Sequence, residues 1–384
     1  MPLSRRTLLA ATSGLPLLRW TAANAAEPIL AGVSGPLTGQ NEQYGTQWRR
    51  GFDLALDGIN SPGTGDNGVK TLPIAYDFQD SQSDPRQSIA IAERLVANPQ
   101  VIIELGDFSS PASMAASTVY QRAGLVQLGF TNSHPGFTAG GDRMWSNAPS
   151  QTQEQPQLAA YAAKLGFKRP AVLHLNTDWG RTAKDAFLHA APALGMEVAT
   201  AESYLPAEPD FRPTLARARD SKPDGLVLLS YYADAALICR QAKDAGLTFP
   251  VLAGTSTHMP AFIEGGGAGA EGVHVMTTFF HGDPRPEVQD FVRRYRAKYS
   301  QDPDSFGAGA YDAMVLFAAL CDRYGTTRQA MQEGLLTITD VPSVIYGKIA
   351  FDPRTRRVQP AAYRLLTVKD AKFTAWDGAR ATPG

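Results

Sequence analysis

The chain has 384 residues, of which 43% are hydrophobic and 19% are charged, and its net charge is −1 at pH 7. A chain of this length exceeds one typical hydrophobic core, so two domains are expected. No basic run is longer than two residues, and this pattern argues against a nucleic-acid partner.

The first 25 residues have the pattern of a twin-arginine signal peptide. The segment Ser4-Arg-Arg-Thr-Leu-Leu9 supplies the arginine pair, residues 8–18 are weakly apolar, and Ala23-Asn-Ala25 offers a cleavage site. The apolar run is shorter than the roughly 20 residues that a membrane-spanning helix needs. We therefore expect export to a bacterial periplasm by the twin-arginine route, with an ordinary secretory signal as the alternative.

From residue 28 onward, apolar strand patterns alternate with amphipathic helix patterns. In the first half, strands are predicted at residues 28–33, 72–78, 101–105 and 124–129. Helices are predicted between them at residues 44–59, 85–97 and 111–120. Asp84 and Pro85 are typical of a helix start. This alternation predicts a parallel sheet with right-handed crossovers.

The same alternation restarts after a break at residues 145–150. Predicted strands follow at residues 171–175, 197–204, 225–229, 251–254 and 273–279. Predicted helices lie at residues 151–165, 182–194, 211–219, 233–245, 286–299 and 306–324, before a β-rich end at 346–376. Two similar α/β halves are therefore expected, with a ligand enclosed between them at the carboxyl ends of the strands.

Hydroxyl side chains stand at the predicted ends of two neighbouring strands. Ser109 and Ser110 precede an Ala-rich helix, where hydroxyls and free backbone N–H groups can bind an anion. Thr131 and Ser133 follow the next strand, so we expect the two loops to form one carboxylate site. The alternative interpretation is that these hydroxyls only cap helices.

Short motifs follow one another in a characteristic order along nearly the whole chain after residue 25. They are Gly35-Pro-Leu-Thr-Gly39, Gln43-Tyr-Gly45, Asp57-Gly-Ile-Asn60, Asp84-Pro85, Gly106-Asp-Phe-Ser-Ser110, Thr177-Asp-Trp-Gly180, Arg240-Gln-Ala-Lys243 and Ala310-Tyr-Asp-Ala313. Together they resemble the leucine/isoleucine/valine-binding family, the periplasmic substrate-binding proteins of branched-chain and hydrophobic amino acid ABC transporters.

The resemblance implies a type I periplasmic-binding-protein fold. In this α/β fold, two Rossmann-like lobes are joined by crossing hinge strands and close over a ligand like a Venus flytrap. The implied segments are residues 27–148 with 277–358 for lobe 1 and residues 149–276 with 359–384 for lobe 2. Cys239 and Cys321 would then lie in different lobes, so two buried thiols are expected rather than a disulfide.

The resemblance and the strand-end pattern together place a ligand site at Tyr44, Ser109, Ser110, Thr131, Ser133, Trp179, Tyr231 and Thr255. By the resemblance, Ser110 and Thr131 would hold a ligand carboxylate through uncharged hydroxyl donors. Tyr44 would flank the ligand, and Trp179 and Tyr231 would close over it. Each aromatic side chain has an alternative role as a core or hinge residue.

One departure from the family pattern concerns the charge of the ligand. Amino-acid binders of this family usually present a carboxylate to the ligand ammonium from the loop at residues 254–258, which here holds no acid. An ammonium group buried without a counter-charge costs several kcal/mol. Either another acid serves, with Asp107 and Asp178 as candidates, or the ligand lacks an α-ammonium and is a simple carboxylate, an amide or a urea-like solute. The supply of aromatic side chains favours a flat or apolar ligand.

The expected function is reversible capture of a small solute, such as a hydrophobic amino acid or a related acid, for an ABC transporter permease. A monomer without a cofactor is expected, with a sensor subunit as the alternative and an exported α/β enzyme as a remote one. Gly267-Ala-Gly-Ala-Glu-Gly272 matches G-x-G-x-x-G but precedes a predicted strand, whereas a dinucleotide motif follows one. No H-E-x-x-H or C-x-x-C spacing occurs, so neither a zinc site nor a redox site is expected.

Overall fold

The computed structural model describes residues 27–61, 73–358 and 362–379. The predicted signal peptide therefore lies outside the described residues. The strands are β1 (Ile29–Gly35), β2 (Ile74–Asp80), β3 (Val101–Gly106), β4 (Val126–Gly129), β5 (Met144–Ser146), β6 (Ala171–Leu175), β7 (Thr200–Tyr204), β8 (Leu226–Leu229), β9 (Val251–Ala253), β10 (His274–Thr277), β11 (Val341–Ser343), β12 (Gly347–Ile349), β13 (Phe351–Asp352), β14 (Arg357–Val358), β15 (Arg364–Lys369) and β16 (Lys372–Ala375). The helices are α1 (Glu42–Ile59), α2 (Pro85–Ala97), α3 (Ser110–Ala123), α4 (Pro135–Ala139), α5 (Gln151–Leu165), α6 (Asp178–Ala190), α7 (Arg212–Asp220), α8 (Tyr232–Asp244), α9 (Pro260–Gly266), α10 (Pro286–Tyr299), α11 (Ser305–Tyr324) and α12 (Arg328–Thr337).

Fourteen of the described strands form two mainly parallel sheets, one in each lobe, and β11 and β12 pair only with each other. In lobe 1 the order across the sheet is β13-β14-β5-β4-β3-β1-β2, and in lobe 2 it is β16-β15-β10-β9-β8-β6-β7. In each sheet the antiparallel pairs lie at the edge formed by the last strands of the chain. Every residue of β3 and β4 is buried, as in a parallel sheet covered on both faces. The two similar α/β halves predicted from the alternating pattern are confirmed.

The chain passes three times between the two sheets. It leaves the first sheet after β5, leaves the second after β10, and crosses again between β14 and β15. The second crossing returns α11 to lobe 1, where it packs so closely on α1 that a Cβ on Gly51 would lie 2.2 Å from the Gly307 carbonyl oxygen. Of the expected lobe boundaries, residue 148 lies between β5 and α5, residue 277 ends β10, and residue 359 is outside the described residues.

Cap residues fix where the helices begin. Asp84 accepts hydrogen bonds from two backbone N–H groups of α2, and Pro85 opens that helix as predicted. Ser150 and Gln153 form a reciprocal capping box at the start of α5. This box sets the register of α5, and it thereby places Glu154 in the first turn of that helix.

The sequence pattern predicts neither α12 nor β11, and it covers β12 only as part of the β-rich end at 346–376. Gly334 weakens the helix propensity of α12, but a Cβ there would stand 2.6 Å from Leu320 Cδ2, so packing on α11 requires the glycine. The β11–β12 hairpin is held by the buried Asp312 carboxylate, which accepts from the Ser343 hydroxyl and from the Val344 N–H. Both elements depend on tertiary contacts with α11, and a local sequence pattern cannot predict such contacts.

Cys239 of α8 and Cys321 of α11 are both buried and free, which confirms the expectation of two thiols. Burial raises the pKa of each thiol to about 12, so neither is a reactive thiolate at neutral pH. No helix in the described ranges combines the length and the apolar character that a membrane span requires.

Candidate functional site

A cavity lies between the two lobes, at the carboxyl ends of the strands. It encloses about 700 Å³ of free space, including its opening to solvent. Its wall comes from the loops that follow β3, β4, β8 and β9 and from the first turns of α3, α5, α6 and α11. The predicted site residues that line it are Ser110, Thr131, Ser133, Trp179, Tyr231 and Thr255.

Three side chains of lobe 1, Ser110, Thr131 and Ser133, form a polar patch on the wall that we call the hydroxyl cluster. Ser110 is the first residue of α3, so it stands at the positive end of the helix dipole. The Thr131 hydroxyl is buried and has no hydrogen-bond partner among the described residues. Since buried polar groups are rarely left unpaired, the cluster is suited to receive an anionic group of a ligand.

Aromatic side chains form much of the apolar wall. Trp179, in the first turn of α6, is 8% exposed, and its ring centroid lies 4.9 Å from that of Tyr231. The Trp179 Nε1 donates to Ser133 Oγ of lobe 1, 2.9 Å away. Tyr231 also packs edge-on against Phe108 of lobe 1, with 4.9 Å between the centroids. These rings offer flat apolar surface, and they connect the two lobes around the cavity.

Glu154 is the one acidic side chain among the described residues of the cavity lining, and the sequence analysis does not select it. It is 9% exposed, and its carboxylate faces the loop at 254–258, since a Cβ on Gly254 would lie 3.8 Å from Glu154 Oε1. Burial raises the pKa of this carboxyl, and the polar groups of the neighbouring Thr255 offset part of the rise. The Thr255 hydroxyl itself is buried and has no hydrogen-bond partner among the described residues. The sequence does carry a signal, because Glu154 is four residues before the buried Leu158 and so shares the inner face of α5.

The two acids selected from the sequence lie elsewhere. Asp107 is 1% exposed inside lobe 1, where its Oδ2 accepts from the hydroxyls of Ser34 and Ser88, each 2.8 Å away. The Asp178 side chain is 61% exposed and pairs with Arg181. Neither residue is part of the cavity lining. Glu154 therefore replaces both as the candidate acid of the site.

Two predicted site residues also stand away from the cavity lining. The Ser109 hydroxyl accepts from the Ala112 N–H at 3.2 Å and caps α3, so the alternative interpretation applies to it. Cap geometry turns the Ser109 oxygen back over the helix. The next residue, Ser110, lines the cavity instead. Tyr44 is fully buried and stacks on Phe108 with 3.8 Å between the ring centroids.

The Tyr44 hydroxyl joins the lobes beside the cavity. It donates to the Ser256 carbonyl oxygen at 2.6 Å and accepts from the Tyr232 N–H at 2.9 Å. The Gln40 carbonyl accepts from the Tyr232 hydroxyl, and the Gln40 amide donates to Asp234. We call these five residues the latch. Together with the Trp179–Ser133 bond, the latch holds the two lobes in contact around the cavity.

Replacing Tyr44 by phenylalanine is expected to weaken ligand binding about tenfold, because two hydrogen bonds between the lobes are lost in the closed form. The ring stack on Phe108 remains, so the fold is kept. Calorimetric titration measures the affinity. Tyr76→Phe is the matched control, since the Tyr76 hydroxyl donates to Asp53 within lobe 1. Equal affinity in Tyr44→Phe and Tyr76→Phe would show that the latch does not support binding.

The remaining chemical motifs add no second site. Gly267–Gly269 forms a short helical turn ahead of β10, which is the position that the sequence pattern indicates. Within the described parts of the chain, no three His, Cys, Asp or Glu side chains are grouped as metal ligands.

Comparison with known proteins places this geometry in a family. Residues 28–372 match the sequence profile of the periplasmic binding proteins. The chain is also similar to the amino acid binding protein of Pseudomonas aeruginosa, with 28% identity over 337 residues that cover 86% of this chain and 88% of the relative.

Solved structures share the fold. LivJ of Streptococcus pneumoniae, in complex with isoleucine, matches with a TM-score of 0.82 and 23% identity over 91% of this chain and 98% of that one. A solute-binding protein of R. palustris in complex with benzoate also gives a TM-score of 0.82, with 17% identity over 93% of this chain and 98% of that one. The predicted fold class and family resemblance are both confirmed, and the chain belongs to the periplasmic binding protein family.

Proposed function

We propose that this protein is the substrate-binding component of an ABC importer and captures a small ligand that combines a carboxylate with an apolar or flat body. One arrangement carries the proposal: a cavity between two lobes whose wall holds aromatic rings next to buried hydroxyls that have no partner in the described ranges. The similarity to amino acid and aromatic acid binding proteins of ABC transporters supports it.

The ligand carboxylate would lie against the hydroxyl cluster. Ser110 and Thr131 would donate hydrogen bonds to it, and the start of α3 would add partial positive charge. Ser305, in the first turn of α11, adds a further buried hydroxyl without a partner among the described residues. The described lining holds no Lys, Arg or His. Dipoles rather than an ion pair would therefore hold the anion, which suits reversible capture and release.

The ligand body would lie between aromatic rings of the two lobes. Phe108 belongs to lobe 1, whereas Trp179 and Tyr231 belong to lobe 2, so closure would place the body between them. Opening would expose both surfaces to solvent and release the ligand. Two of the hinge segments that we propose for this motion lie near Ala148 and Met276, and the third expected segment, at Gln359, lies outside the described residues.

The site of action that we propose is the periplasm, where the protein would work as a monomer without a cofactor. The twin-arginine pattern of residues 1–25 supports export by that route, and the family consists of periplasmic proteins. The captured ligand would be delivered to a permease in the inner membrane.

A thermal-shift screen of the refolded, ligand-stripped protein tests the proposal. The panel pairs hydrophobic amino acids with their deaminated acids and includes benzoate, short amides and the methyl ester of each acid. At about 100 times its dissociation constant, a ligand stabilises the folded protein by about 2.7 kcal/mol. We expect at least one carboxylate to raise the melting temperature while its methyl ester does not. Stabilisation by uncharged solutes alone, or by no compound, would rule out the proposed carboxylate site.

A further inference from the structure

We propose that Glu154 makes the site selective for ligands that carry a cationic group, of the α-ammonium kind, next to their carboxylate. The inference rests on the proposed function, since it assigns the second polar group of the same ligand. It is based on the position of Glu154 in the cavity lining, on the hydroxyl groups around it, and on the lack of a cationic side chain in the described lining.

The cavity lining has two polar sets of side chains. One is the hydroxyl cluster of lobe 1, and the other is formed by Glu154, Thr255 and Tyr363. The Tyr363 hydroxyl is buried and has no hydrogen-bond partner among the described residues. A carboxylate beside two hydroxyls offers acceptors that a ligand ammonium, with three donors, can use together. Neutral donors in one set and an acid in the other match the two charges of a zwitterion.

No cation in the described lining compensates Glu154. The Arg357 guanidinium, which contacts the backbone beside the hydroxyl cluster, donates to the carbonyl oxygens of Asn132, His134 and Ala148 and is not part of the lining. A buried carboxylate without a partner is costly, and a ligand cation would remove that cost. A ligand with only a carboxylate would instead add a second negative charge to the same cavity.

The pH dependence of binding has a defined sign. Burial raises the pKa of Glu154 in the empty site, and pairing with an ammonium lowers it again, so binding releases a proton at low pH. The affinity for an ammonium-bearing ligand should be highest at pH values above the raised pKa of Glu154. It should fall as the pH drops through that pKa. The titratable groups that face Glu154 are the phenols of Tyr363 and, beyond it, Tyr346, whose pKa values burial raises, so they stay neutral throughout.

Glu154→Gln removes the charge of the side chain with almost no change of its shape. Calorimetric titration of the wild-type protein and of this variant then compares two amino acids with their deaminated acids. The pairs are phenylalanine with hydrocinnamate, and leucine with isocaproate. We expect the wild-type protein to bind one amino acid more tightly than its deaminated partner. In Glu154→Gln, that amino acid should bind about 30-fold more weakly or worse, and the pH dependence should disappear. Affinity for the deaminated acid should stay equal or rise.

Two further variants serve as controls. Asp178→Asn removes an exposed acid from the same lobe and should change the affinity by less than about twofold. Glu154→Asp keeps the charge but withdraws it by one methylene, so an intermediate loss is expected. The ligand-free Glu154→Gln protein should melt no lower than wild type, because it removes an uncompensated buried charge.

The outcomes separate the two proposals. Equal affinity of wild type and Glu154→Gln for the amino acid would overturn the role of Glu154. A wild-type protein that binds hydrocinnamate, isocaproate or benzoate and ignores the amino acids would also overturn it, while the carboxylate site would stand. Binding of no carboxylate by the wild-type protein would overturn the proposed function and this inference together.

Discussion

Replacing Trp179 by alanine is expected to weaken ligand binding by about 3 kcal/mol, or more than about 100-fold. The substitution removes a ring that lines the cavity, its contact with Tyr231, and the Nε1 hydrogen bond to Ser133 across the cleft. The ligand therefore loses apolar contact surface, and the closed form of the protein loses a hydrogen bond between the lobes. Calorimetric titration with the tightest ligand of the screen measures the loss.

Helix α6 should still begin at the same residue in Trp179→Ala. Its cap is Thr177, and the Trp179 carbonyl oxygen that accepts from Gln151 belongs to the backbone. Trp179→Phe keeps a ring but not the donor, so a loss of about tenfold is expected. Trp376→Ala removes a tryptophan from lobe 2 outside the cavity lining and should leave the affinity unchanged. Equal losses in Trp376→Ala and Trp179→Ala would assign the effect to the stability of lobe 2 rather than to the site.

The double variant Ser110→Ala with Thr131→Val is expected to reduce the affinity for a carboxylate ligand by about 100-fold or more, since two hydrogen bonds to a charged group are lost. Valine keeps the volume of Thr131, and Ser110 Oγ makes only a long 3.4 Å contact with the His134 N–H. The melting temperature of the ligand-free protein should therefore change little. Calorimetry and thermal unfolding together separate the two effects.

Ser109→Ala is the matched control for the double variant, because it alters the neighbouring hydroxyl that caps α3. It should lower the free energy of unfolding by about 1 kcal/mol, as the loss of a helix cap does, and leave the affinity nearly unchanged. If Ser109→Ala weakened binding as much as the double variant, the division between cap and ligand contact would be wrong.

The two-lobe fold could be predicted because its signals are local. The apolar run of β3 is buried along its whole length, and the Asp84-Pro85 pair begins α2 at the expected residue. Strand β11 and its pairing with β12 could not be predicted, because Asp312 holds this hairpin from a helix that is distant in the sequence. Gly334 lowers the propensity of α12 where packing on α11 requires it. These elements follow from tertiary contacts that override the local pattern.

The site was predictable to the extent that strand ends determine it. The loops after parallel strands of one sheet meet at one edge, and this places Ser110 and Thr131 together in the cavity lining. By the same rule Trp179 follows a strand of the second sheet and lines the cavity from lobe 2. Strand-end position does not determine where a single side chain points, and the Ser109 and Tyr44 hydroxyls bond to other parts of the protein outside the cavity lining.

The polar set formed by Glu154, Thr255 and Tyr363 comes from segments that are far apart in the sequence. Glu154 comes from a helix that follows the first crossing between the sheets, and Tyr363 comes from the segment after the third. Glu154 lies in a helix and Tyr363 directly precedes β15, so neither follows the carboxyl end of a strand and the strand-end rule does not select them. The only local signal is an acid on the buried face of α5.

A crystal structure of the protein with the tightest carboxylate ligand of the screen tests the central claim most directly. The account predicts the ligand in the cavity between closed lobes, with its carboxylate about 3 Å from Ser110 Oγ and Thr131 Oγ1. The body of the ligand should lie against Trp179 and Tyr231. A ligand bound outside this cavity, or bound within it with its carboxylate turned away from the hydroxyl cluster, would contradict the account.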